Sequence, residues 1–221
     1  MDVTYFLKIR TDFIKFYYSE AVKSFLIIQK SIDEKKSPFN NPSYDESGEP
    51  PFLEEWMDSE LGKDMVGFHC VSLLSESIKV YFDTLWKRVL AFKPIDKKLF
   101  VKEGFLSVYK CALGNELNID WLQAGIDFNI IEQVVLARNN VSHGQKLNDM
   151  WPDHDKKTLK KYKNPFFTTE FELGLHKETK DFGNFSMIPN VHVSEDQLLK
   201  AIDEIEKVAS VIDRKIWPQR L

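Results

Sequence analysis

Residues 126–144 read IDFNIIEQVVLARNNVSHG. Ile130, Ile131, Val134, Val135, Arg138 and Val141 recur at spacings of three and four, which predicts an amphipathic helix with Arg138 near one edge of its buried stripe. Gly144 lacks a Cβ and accepts a left-handed conformation, so it is expected to end the helix. His143 then falls in or near the last turn, where a positive side chain is favoured. On an ideal helix, five steps separate Arg138 from His143 by roughly 140° of rotation and about 7.5 Å of rise. One copy is therefore poorly arranged to clamp a small group from one side, whereas two copies across a symmetry axis, or local unwinding at Gly144, would let the two side chains converge.

Helical periodicity continues on both sides. Residues 2–34 predict one long helix whose apolar face is Phe6, Ile9, Phe13, Phe16, Tyr17, Phe25, Ile28 and Ile32; no Pro or Gly interrupts it, and its surplus aromatics suit a dimer contact. A second helix is expected from residue 62 or 63 to residue 91 or 92, with Met65, Phe68, Val71, Leu74, Ile78, Phe82, Leu85 and Val89 inward and Pro94 as its stop. Residues 95–113 suggest a third, in which Gly104 is tolerated, and Asp120 is placed to cap the approach to the Arg138 helix. Ser194 and Gln197 form a capping-box pattern ahead of Ala201, Ile202, Ile205, Val208, Ala209, Ile212 and Ile216. The fold class expected is an all-α helical bundle in a single domain. No Gly-rich phosphate loop or dinucleotide fingerprint occurs in the sequence.

Two stretches stand outside this scaffold, at about 35–59 and 145–193. The first includes SPFNNPSYDESGEPP (37–51), rich in turn formers, followed by a short helical turn over 52–57. The second carries KKTLKKYK (156–163), in which Lys156, Lys157, Lys160, Lys161 and Lys163 concentrate positive charge on a short helix. That helix is either a solvated basic face or a patch for an RNA backbone. Tyr162, Phe166 and Phe167 are expected to pack inward rather than stack on bases. Residues 166–189 are expected to form a small β-hairpin or an irregular cover before the last helix, with weak alternation.

With 43% hydrophobic and 29% charged residues, the 221-residue chain has the composition of a folded domain, and a domain of this size buries roughly 70% of its unfolded surface. No apolar run reaches the ~18 residues of a membrane span, and the start, MDVTYFLKIRTDF, lacks a secretory pattern, so a cytoplasmic location without membrane association is expected. The formal net charge of −4 argues against a surface that wraps nucleic acid throughout, but leaves room for a local basic site. Cys70 and Cys111 are isolated, His69 has no matching ligands nearby in sequence, and Asp153-His154-Asp155 makes no cation cage by adjacency alone. No metal ligands and no cofactor are therefore expected.

The residues Arg138 to His143, RNNVSH, followed by Gly144, resemble the Arg-x4-6-His motif of HEPN (higher eukaryotes and prokaryotes nucleotide-binding) domains. Arg138 and His143 match the motif and Asn139 matches the polar residue often found after its arginine. The resemblance covers the helical scaffold and leaves 35–59 and 145–193 unexplained. It implies a bundle in which the motif lies near a helix end, a homodimer that joins two copies at the active cleft, and membership of a group with many metal-independent endoribonucleases of toxin–antitoxin and antiviral defence systems.

The residue types suit that chemistry. RNA carries its own nucleophile, the 2′-hydroxyl. Histidine transfers protons near its ordinary pKa of about 6.5, and arginine holds phosphoryl oxygens with a fixed donor fork. His143 is then the general acid or base, Arg138 the electrostatic stabiliser and Asn139 a positioning group, and the products are a 2′,3′-cyclic phosphate and a 5′-hydroxyl. Three other readings stay open on sequence alone. In one, the protein is a non-catalytic dimeric module that binds a nucleotide or a partner protein. In another, it is a toxin neutralised by an antitoxin that occludes or modifies its cleft. In the last, Arg138 pairs with an acid such as Glu132 while His143 caps helix carbonyls and Asn140 completes a turn.

Overall fold

The computed structural model describes residues 2–42, 46, 48–143 (without the side chain of His143), 150–179 and 187–217. The fold is an all-α bundle built on α1 (Val3–Ala21), α2 (Lys23–Asp33), α3 (Leu53–Thr84), α4 (Lys97–Glu103), α5 (Phe105–Glu116), α6 (Phe128–His143), α7 (Lys156–Lys161), α8 (Glu170–Thr179) and α9 (Glu195–Ile216). The central element is α3, which packs against α1, α2, α6 and α9. Val66, Phe68, Cys70, Val71, Leu74, Ile78 and Phe82 are buried along it. Gly67 permits the tightest of these approaches: a Cβ there would lie 2.7 Å from the Val193 Cβ and 2.9 Å from its carbonyl oxygen.

Several expected elements differ. Helix α3 begins at Leu53, well before residue 62, because Gly62 lies inside it beneath the Phe25 ring instead of marking a boundary. It passes at its C-terminus into a π-helical turn, Leu85–Val89. The expected 2–34 helix is two helices, with a turn at buried Val22 (φ −78°, ψ −15°). The expected 95–113 helix is also two, because Gly104 sits at φ +77° between α4 and α5. A left-handed glycine there ends one ladder and starts the next.

The inward face of α1 also differs from the expected one. Val3, Leu7, Thr11, Ile14 and Tyr18 are buried, while Phe6, Ile9, Phe13 and Phe16 are 47–60% exposed. Both stripes have helical spacing, and the choice is made by partners elsewhere in the chain. The Thr11 hydroxyl donates to Glu206 at 2.7 Å and Lys15 pairs with the same carboxylate at 3.1 Å, while the Tyr18 hydroxyl donates to the Val193 carbonyl at 3.4 Å.

The capping box of Ser194 and Gln197 starts α9, whose buried residues include Leu198, Ala201, Ile202, Ile205, Val208, Ala209 and Ile212. In place of a β-hairpin, residues 170–179 are helical, and among the described residues the one β-like feature near them is an isolated antiparallel bridge between Asp153 and Asn190. Phe167 is fully buried under this cover, and the Gln197 amide donates to the carbonyls of Phe166 and Thr168, so backbone groups are satisfied by side chains instead of a ladder. Among the described residues, no helix is long and apolar enough to cross a membrane.

Candidate active site

Asp120 caps the turn before α6 by accepting from the backbone N–H groups of Leu122 and Gln123, and the Asp127 N–H is held by Glu204 of α9 at 2.9 Å. These contacts fix the start of α6. Its inner face buries Ile130, Ile131, Val134, Ala137 and Asn140; Val135 and Val141 are only partly buried. Val135, Leu136, Arg138 and Asn139 instead form one wall of a cleft of about 890 Å³. The opposite side is supplied by α3 and the α4–α5 pair, through Glu76, Lys79, Trp86, Phe100 and Phe105 among others.

Arg138 also lines a second hollow of about 440 Å³, together with Tyr17, His69, Ser72, Leu73, Glu76 and Ser142. It therefore stands where the two openings meet. The residue is half-buried, and its Nη1 group donates to the Asn139 side-chain oxygen at 3.2 Å. Among the described residues no carboxylate pairs with it. Glu132 is engaged elsewhere: it accepts from Lys161 at 2.5 Å and from the Tyr162 hydroxyl at 3.0 Å. Asn139 thus orients Arg138. Asn140 is buried with its Nδ2 lacking a partner, so it does not complete a surface turn. Helix α6 runs through His143, which sets that residue about 7.5 Å along the axis from Arg138; the His143 side chain and Gly144 lie outside the described residues.

Lys156, Lys157, Lys160 and Lys163 are exposed, whereas Lys161 is held by Glu132 and lies over the Tyr162 ring at 5.4 Å. Because Glu132 lines the 890 Å³ cleft, this contact ties the basic segment to the same side of α6 as the opening. Lys156, Lys157, Lys160 and Lys163 make a local concentration of solvated positive charge on a chain of net negative charge.

The structure also assembles a polar cluster that sequence spacing does not reveal. His192 joins Asp64 of α3 at 2.9 Å through Nδ1 and Glu172 of α8 at 3.1 Å through Nε2. The Trp151 indole donates to Asp64 at 2.7 Å, and the Asn190 N–H and amide donate to Glu172. Burial pulls the His192 pKa down, but the hydrogen bonds and charges of the two carboxylates outweigh that pull and hold it at about 10. The ring is an imidazolium at neutral pH and ties α8 and the segment ahead of α9 to α3.

Since the folded-state pKa lies above the unfolded value of about 6.5, the stabilisation is complete below that pH and is lost as the pH rises through about 10. For a side chain still 23% exposed, His192→Ala is expected to cost on the order of 2 kcal/mol, or about 4–8 °C in melting temperature at pH 7. Thermal melts should show the difference from wild type shrinking progressively between about pH 6.5 and about pH 10 and levelling off beyond it; a difference constant across that window would contradict a charged ring. His154 behaves oppositely. Burial lowers its pKa, so it sits neutral with Nε2 on the Phe167 carbonyl, and its contribution is lost as the pH falls.

Sequence spacing weighs His69 only as a metal ligand and assigns no site role to Glu76 or Lys79. They are exposed, yet Glu76 and Lys79 line the large cleft and His69 and Glu76 the smaller hollow. The available signal was the i, i+3, i+4, i+7 series His69, Ser72, Leu73 and Glu76 on one face of α3. Comparison of the chain with protein-family models, with curated proteins and with solved structures finds no match.

Proposed function

We propose that this chain is a HEPN-like, metal-independent endoribonuclease of the toxin or defence type, acting in the cytoplasm as a homodimer. The observation that carries this reading is Arg138: a half-buried arginine with no carboxylate partner among the described residues, at the junction of two openings. An arginine at a cavity wall without a carboxylate partner among the described residues is suited to a ligand's anion, and its fork matches two phosphoryl oxygens.

In this reading Arg138 holds the scissile phosphate and stabilises the charge that builds on it, while Asn139 orients the guanidinium. His143 moves a proton, either from the 2′-hydroxyl or onto the departing 5′-oxygen. The 2′-oxygen bonds to phosphorus as the bond to the 5′-oxygen breaks, giving a 2′,3′-cyclic phosphate and a 5′-hydroxyl without an external nucleophile. Lys156, Lys157, Lys160 and Lys163 attract the flanking backbone, with Lys161 anchoring their segment. The exposed α1 stripe supports the dimer, because its helix also contributes Tyr17 to the hollow beside Arg138.

The test is to incubate RNA with the purified protein in excess chelator and to identify the ends formed. Cyclic phosphate and 5′-hydroxyl termini are expected. Binding without any product would favour the dimeric nucleotide- or protein-binding regulatory module instead, and 3′-hydroxyl with 5′-phosphate ends would contradict the mechanism.

A further inference from the structure

Cleavage by the 2′-hydroxyl needs two proton transfers, one from the nucleophile and one to the leaving 5′-oxygen. The motif on α6 supplies one imidazole. We infer that His69 of α3 is the second proton-transfer group, taking whichever role His143 does not. This inference rests on the proposed function and deepens it.

His69 follows from the packing of three helices. Cys70, its neighbour, is fully buried in the core, so the helical turn of about 100° per residue carries His69 away from the core to the solvent side of α3. There it joins Ser72, Leu73 and Glu76. Packing of α6 on α3 brings Arg138 and Ser142 to the same hollow, and packing of α1 on α3 brings Tyr17. At about 440 Å³ the hollow lies within the range of ~300–1,000 Å³ found for small-ligand sites. It is open, and Arg138, which would hold the phosphate, is among its lining residues.

Competing assignments for His69 are weak. The ring is exposed, so it is not a core histidine. No group of three His, Cys, Asp or Glu residues suited to a metal ion occurs among the described residues, which leaves His69 without co-ligands there. The titratable and charged groups sharing its hollow are Glu76 on its own helix, Tyr17 from α1 and Arg138 from α6. Of these, Arg138 is the phosphate ligand of the proposed function, and Glu76 lies two helical turns along α3 from His69. The imidazole is the group whose chemistry fits the vacant role.

In the reaction one imidazole accepts the 2′-hydroxyl proton as the new P–O bond forms, and the other, as imidazolium, gives its proton to the 5′-oxygen as the old bond breaks. The two histidines end with exchanged protonation states and reset by proton exchange with water. No other reactant is consumed.

The test compares His69→Gln and His143→Gln on ordinary RNA and on RNA whose scissile 5′-oxygen is replaced by sulfur, a leaving group that departs without protonation. His69→Gln is expected to lower the cleavage rate of ordinary RNA by about 10²-fold or more and to remove one limb of the pH–rate profile, with melting temperature and dimer mass unchanged. On the sulfur substrate, one of the two variants should recover to near the wild-type rate and the other should not. Wild-type cleavage of ordinary RNA by His69→Gln, beside inactive Arg138→Ala and His143→Gln, would overturn the inference while leaving the proposed function intact. Recovery of both variants, or of neither, would overturn the division of roles. An inactive wild-type protein would overturn both readings.

Discussion

Arg138→Ala is expected to lower metal-independent RNA cleavage by about 10²- to 10³-fold, the usual effect of removing one donor from a centre that stabilises developing charge. The loss should come without unfolding. Arg138 bridges no carboxylate among the described residues and donates a hydrogen bond to the adjacent Asn139, so among those residues no buried counter-charge is stranded by its removal. Arg138→Lys keeps the charge and loses the planar fork, and should retain only part of the activity. His143→Ala should cost about 10²- to 10⁴-fold. If both side chains serve one step, the double variant should fall little below the worse single one, because groups that act as a unit are not additive. Initial rates in chelator, read beside thermal melts, check each point. Full activity in Arg138→Ala and His143→Ala with intact melts would reject the site.

The second large effect is expected at α1. Phe13→Asp combined with Phe16→Asp should convert a dimer to a monomer in light scattering and remove most RNA cleavage. Tyr5, Phe6, Ile9, Phe13 and Phe16 are large apolar side chains left 47–60% exposed on one helix, and Leu73 and Val80 of α3 are also exposed. Contiguous apolar surface of this kind marks an association site, and a stable dimer buries ~800 Å² on each partner. Two carboxylates placed in that face would have to be desolvated without partners, a cost well above the margin of most interfaces. Activity should fall with mass, because α1 and α3 carry Tyr17 and Leu73 into the hollow that Arg138 lines. Val101→Asp, on the outer side of α4 at 90% exposure, serves as the control and should alter neither property. A wild-type protein that is monomeric at micromolar concentration would remove the dimer from the proposed mechanism.

The helical periods were readable because they are local. The Arg138 helix, the capping box of α9 and the short basic helix follow from spacing and capping alone, and the structure contains all three. Which stripe of α1 turns inward was not readable, since Phe6, Ile9, Phe13 and Phe16 have the same period as Val3, Leu7, Ile14 and Tyr18. The deciding contacts come from Glu206 and Val193, almost two hundred residues away. Gly104 and Gly62 show the same limit in opposite directions: one breaks a helix and the other sits inside a long one beneath a ring. Propensity treats them alike, and packing separates them. The Asp64–His192–Glu172 clamp joins residues from three distant segments with no common spacing. The hollow containing His69 likewise exists only once α1, α3 and α6 are packed.

The most direct measurement is a crystal structure of the protein with a short RNA made uncleavable by 2′-O-methylation at the cut position. A phosphate should lie within about 3 Å of the Arg138 guanidinium, with the His143 imidazole facing either the methylated 2′-oxygen or the 5′-oxygen of the same linkage. RNA bound elsewhere, or a phosphate that leaves Arg138 turned toward a protein carboxylate, would contradict the assignment of this chain as a ribonuclease.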